Sequence, residues 1–128
     1  MVVLNSRRLV SCVAVVALAL ATERPAVSSA SQSQPGRTVT VTAERFSFTP
    51  SEIRMKADES LEIRLRSEDT DHGFRILDTD VDVRIPKRGK GTATITFRPS
   101  RTGRYVFECS HVCGAGHEYM RGTIVVSK

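Results

Sequence analysis

Between Cys109 and Met120 the chain sets two thiols, an imidazole and a thioether in the order C-x3-C-x3-H-x2-M. These are soft donors, and soft donors select copper over hard cations such as magnesium or calcium. Two cysteines in one short loop can also bridge two metal ions, which a single cysteine cannot arrange as well. A further histidine, His72, stands far upstream in the segment Asp69-Thr70-Asp71-His72-Gly73-Phe74.

Three other readings of the same residues leave something over. A disulfide between Cys109 and Cys113, natural in an oxidising compartment, gives His117, Met120 and His72 no role. Zinc can take both cysteines with His117 and His72, but it does not call for Met120. A mononuclear blue-copper site uses one cysteine, two histidines and a methionine, and Cys113 is then in excess.

The elements that must position these donors are strands. Leu61, Ile63 and Leu65 alternate with Glu62, Arg64 and Arg66, and Ala93, Ile95 and Phe97 alternate with Thr94, Thr96 and Arg98. Such alternation marks a strand with one buried and one wet face. Further strands are predicted at 38–43, 53–56, 73–77, 81–85, 103–108 and 122–126. Turn residues separate them: Thr49-Pro50-Ser51, Ala57-Asp58-Glu59, the Lys87 to Gly91 run and the Pro99 to Gly103 run. No helical period of useful length occurs. Many short strands at this spacing predict an all-β fold, a two-sheet β-sandwich with Greek-key connections. The ligand loop is then pinned at both ends by strands, with Gly114 and Gly116 turning the backbone between Cys113 and His117. His72, at a strand start, can meet that loop if the sandwich gathers its loops at one end.

Ahead of this domain the chain changes character. Arg7 and Arg8 precede an apolar run at residues 9–21, and Ala19-Leu20-Ala21 offers small residues for cleavage. That is the order of a secretory signal peptide, with an N-terminal anchor as the alternative; a bilayer-spanning helix needs about 20 apolar residues. Residues 22–36, rich in Ser, Ala, Gln and Pro, read as a flexible linker. The folded domain is expected at 37–128, and its location is periplasmic or otherwise extracytoplasmic. The formal charge is +5, and +3 without Arg7 and Arg8. This excess is small and scattered along strands, which argues against nucleic acid as a partner.

From residue 37 to the C-terminus the chain resembles the copper domain of cytochrome c oxidase subunit II, the binuclear CuA cupredoxin also found in nitrous-oxide reductase. Two motifs carry the resemblance: Asp71-His72-Gly73-Phe74, and Cys109 to Met120 followed by Arg121-Gly122-Thr123-Ile124-Val125-Val126. The resemblance implies a cupredoxin-like sandwich holding two copper ions. Cys109 and Cys113 bridge them, His72 and Met120 complete one copper, and His117 with the backbone carbonyl of His111 completes the other. The family often has Glu where this chain has His111. The carbonyl is retained, while any role of the Glu side chain toward a neighbouring magnesium site and subunit I is lost.

The resemblance further implies an electron carrier in a respiratory chain, taking electrons from cytochrome c or a similar donor and passing them to haem-copper oxidase subunit I. Nothing in the donor set is an acid, base or nucleophile for bond breaking, so the domain alone is expected to carry electrons and not to transform a substrate. A free-standing soluble cupredoxin, or a copper delivery or storage module, would use the same ligands. The chain has no Trp, so the aromatic residue at which the family receives electrons is absent. Phe46 and Phe48 occupy a similar segment and are candidates for its place, although aromatic residues on strands more often belong to the core. Glu68, Asp69, Asp71, Asp78, Asp80 and Asp82 flank His72 and form a candidate acidic rim for docking a basic carrier.

Overall fold

The protein is described here by a computed structural model, whose described residues are 36–128. The export or anchor segment expected at residues 1–21 lies outside the described residues, as does the expected linker up to residue 35. The described chain forms the strands β1 (Arg37–Glu44), β2 (Ser47–Thr49), β3 (Glu52–Lys56), β4 (Leu61–Ser67), β5 (His72–Ile76), β6 (Asp82–Ile85), β7 (Ala93–Phe97), β8 (Gly103–Glu108) and β9 (Arg121–Ser127). A single 3-10 turn, His117–Tyr119, interrupts the ligand loop.

The strands make two sheets in the cupredoxin-like, Greek-key manner. One has the order β2-β1-β4-β7 and the other β3-β9-β8-β5-β6. β1 lies parallel to β4 and β3 parallel to β9, while the other neighbours are antiparallel. The alternation read in the sequence sets the faces. Leu61, Ile63 and Leu65 are fully buried between the sheets, with Arg64 and Arg66 turned outward. Burial of side chains of this size stabilises by about 1.5–3 kcal/mol each.

Three rings fill the centre. Phe48 meets Phe74 edge-on at 5.7 Å and Phe107 at 5.4 Å, while Phe74 and Phe107 stack at 5.0 Å. Phe74 lies on β5 just after His72, and Phe107 lies on β8 just before Cys109. The aromatic cluster therefore anchors both strands that deliver metal donors.

The short strand β2 has no counterpart among the strands expected from the sequence. It spans only three residues, too few to show a period, and exists because a two-residue turn at Arg45 and Phe46 folds it back on β1.

Candidate metal centre

The ligand loop leaves β8 and returns to β9 through a closed neck. Glu108 is in register with Arg121, and the Cys109 N–H donates to the Met120 carbonyl at 3.0 Å. Inside the loop, the N–H groups of His117, Tyr119 and Met120 bond back to Gly114, Gly116 and His117. In 3-10 geometry residues three apart eclipse one another, which turns His117 and Met120 the same way. Both reach Cys113: His117 Nδ1 and Met120 Sδ each lie 3.9 Å from its Sγ.

His72 comes from β5, across the sheet. Its Nδ1 is 3.9 Å from Cys109 Sγ, and the two sulfurs are 3.8 Å apart. The donor atoms of His72, Cys109 and Cys113 all lie within 4.8 Å of one another. The His111 carbonyl oxygen is 3.1 Å from Cys109 Sγ. The structure thus brings all six sequence-predicted donors to one place. Tetrahedral metal–thiolate bonds of about 2.3 Å and metal–imidazole bonds of about 2.0 Å put donors about 3.5–3.8 Å apart. The observed separations fit a metal with little movement. Both cysteines are free thiols.

The surroundings orient the donors. His72 is fully buried, and its Nε2 lies 2.6 Å from Asp69 Oδ1. An ionised carboxylate can only accept, so Nε2 carries the proton and Nδ1 presents a lone pair toward the sulfurs. Partial burial raises the Asp69 carboxyl, but bonds from His72 and from the Arg45 and Thr70 N–H groups outweigh it and hold it below the usual carboxylate range. The Gly73 N–H donates to Cys109 Sγ at 3.4 Å. That approach requires glycine, because a Cβ at position 73 would stand 2.2 Å from Ser110 Oγ and 2.6 Å from the His111 nitrogen. Burial first, and then the neighbouring Cys109, push the Cys113 thiol up to about 11.

Phe46 and Phe48 part company. Phe48 is 2% exposed and belongs to the core, as aromatic residues on strands usually do. Phe46 lies over the ligand loop, its ring so close that a Cβ on Gly116 would be 2.2 Å from it. Gly116 has φ −95°, so its task is to leave room for this ring and not, as the sequence suggested, to turn the chain. Gly114, at φ +144°, does turn it. Val112 and Tyr119 project from the same loop at 77% and 81% exposure.

The acidic segment is largely engaged. Glu68 pairs with Arg66 and Arg88, Asp69 with His72, and Asp71 with Arg84. Asp82 accepts from Ser110 Oγ at 2.6 Å. Asp78 and Asp80 have no ion-pair partner among the described residues. Two contacts escaped the sequence reading. Buried Glu108 links Arg75 of β5 to Arg121 of β9 beside the neck. Arg45 Nε donates to the Cys113 carbonyl at 2.9 Å. Nothing in the sequence links Glu108 to Arg75 and Arg121, or Arg45 to Cys113.

Residues 11–126 match the cupredoxin-like domain family. Two cytochrome c oxidase subunit 2 proteins of Thermus thermophilus are each 34% identical over 91 residues, 71% of this chain. The matches cover 66% of one and 53% of the other, so the chain spans between half and two thirds of these relatives' length. The solved periplasmic domain of subunit II of Bradyrhizobium japonicum cytochrome oxidase has the same fold, with TM-score 0.65 at 16% identity over 72% of this chain and 84% of that one. Together with the His72, Cys109 and Cys113 cluster, this similarity implies copper as the metal. The chain belongs to the cupredoxin-like domain family, and within it is similar to subunit 2 of cytochrome c oxidases.

Proposed function

We propose that this domain transfers electrons outside the cytoplasm through a binuclear copper centre, as the copper domain of a haem-copper oxidase subunit II does. One observation carries the reading: each thiol has its own imidazole, His72 at Cys109 and His117 at Cys113, both at 3.9 Å. A mononuclear site has no use for the second thiol. Cys109 and Cys113 would hold both metals, with His72, Met120, His117 and the His111 carbonyl as the remaining donors. A thiolate-bridged copper pair supplies one-electron transfer with little change at each metal, because the charge is shared.

The chain contributes rigidity and exclusion of water. Met120 and His72 are fully buried, and Cys109 and Cys113 nearly so. Phe46, lying over the loop, is the place where an electron arrives from a cytochrome c or similar donor. The acidic residues Glu68, Asp69, Asp71, Asp78, Asp80 and Asp82 face that donor, and a haem-bearing subunit I is the acceptor.

Reconstitution of the full chain with copper tests the reading. Two coppers per chain, and a mixed-valence electron paramagnetic resonance signal split by both copper nuclei, are expected. One copper with an intense blue single-thiolate band overturns it, as does a centre that surrenders its metal to a chelator on each redox cycle, the behaviour of a delivery module.

A further inference from the structure

One turn of the opposite sheet holds both halves of the centre. The Arg45 N–H donates to Asp69 Oδ2 at 3.0 Å, and the same carboxylate holds the His72 ring through Oδ1. The Arg45 side chain then reaches the other half, where Nε donates to the Cys113 carbonyl at 2.9 Å. No turn or loop backbone bond takes up that carbonyl among the described residues. The next residue, Phe46, seats its ring on Gly114 and Gly116 immediately beyond. Backbone amide, guanidinium and ring therefore come from two consecutive residues and grip both His72, through Asp69, and the stretch from Cys113 to Gly116.

We propose that Arg45 is a positioning residue of the copper centre: with Asp69 it fixes the His72 ring and the Cys113 backbone relative to each other, and so fixes the distance between donors delivered by separate strands. This rests on the copper reading of the site. Arg45 touches no metal donor atom. It acts through a carbonyl and a carboxylate, as groups outside a ligand set do when they tune a metal site, commonly with 10–100-fold effects on metal affinity. The guanidinium suits the task, since its planar fork presents N–H donors in a fixed geometry.

The test uses the full chain loaded with copper, its release to a monovalent-copper chelator, and its mixed-valence spectrum. Arg45→Ala is expected to load as much copper as the wild type, release it roughly tenfold faster, and change the hyperfine pattern. Arg45→Lys, which can still donate to the carbonyl, should recover part of both. Arg45→Ala combined with Asp69→Asn should cost less than the product of the single effects, because the two act in one network. A merely structural arginine would lower the thermal midpoint of the metal-free chain and leave release and spectrum alone. Should the alanine variant not fold, Arg45→Met, which keeps the apolar stem but has no donor for the carbonyl, gives the same readout. Wild-type release and spectrum in these variants overturn the proposal alone; a wild-type chain that takes up no copper overturns it together with the reading of the site.

Discussion

The Nε2 of His72 lies 2.6 Å from Asp69 Oδ1, and this pairing decides which ring nitrogen faces the Cys109 sulfur. Without the carboxylate the buried ring is free to take the other tautomer or to turn. Asp69→Ala should weaken copper retention by about 10–100-fold, measured by competition with a chelator. Asp69→Asn keeps an acceptor oxygen and should fall between the two. An alanine variant that competes like the wild type would refute the role.

Proton release should accompany copper uptake. The Cys113 thiol, raised to about 11 by burial and by Cys109, keeps its proton at neutral pH until a metal displaces it. Apparent copper affinity should therefore rise with pH, and the protons can be counted in weakly buffered solution. The metal-free fold should respond in the opposite sense. Above 9.0 the unfolded chain loses the Cys113 proton while the folded chain holds it up to about 11, so stability falls as pH rises through that window. Urea midpoints of the metal-free chain at several pH values between these limits check the sign.

Cys113→Ser removes one bridge and leaves Cys109 with His72. The mixed-valence signal should disappear and copper content should fall to one per chain. Persistence of the two-nucleus hyperfine pattern in this variant would rule out bridging by Cys113.

If the acidic residues that flank His72 in the sequence draw in a basic cytochrome, Asp78 and Asp80, in the turn between β5 and β6, should supply most of the attraction, because the others already have partners. Electron transfer from such a cytochrome should slow as ionic strength rises. Asp78→Asn with Asp80→Asn should lower the low-salt rate by about threefold and flatten its salt dependence. Stopped-flow rates that ignore salt would remove electrostatic docking altogether.

Gly73→Ala tests the close approach of β5 to the loop. Its methyl group would stand 2.2 Å from Ser110 Oγ and 2.6 Å from the His111 nitrogen. Relief requires moving the backbone that carries Cys109, at about 1–3 kcal/mol. A denaturant midpoint equal to the wild type's would show that the loop yields without cost.

The strands that frame the core were legible where their alternation is strong: Leu61, Ile63 and Leu65 of β4 could bury only one face. The donor set was legible because Cys109, Cys113, His117 and Met120 sit in one continuous loop. What the sequence hid were relationships between distant segments. Arg45 meets Cys113 across 68 residues and follows no periodicity. Asp69 reads as one acid among several, and only the fold shows that its carboxylate is taken up by a buried ring. The spacing of Gly116 within the loop suggested a turn, whereas the constraint is the Phe46 ring above it, which no local pattern reveals.

The ladder between β5 and β8 is very short: only Arg75 with Glu108 and Ile76 with Phe107 are paired. Toward the ligand loop the two segments have no further paired residues, and the gap is spanned by the Gly73 N–H, the His72 ring and the Cys109 sulfur. A metal held there closes the sheet where hydrogen bonds stop. Copper would then act as a fastener as well as a redox group, and the edge carrying β5 and β6 should be the part of the fold whose amide exchange slows most when the metal is bound.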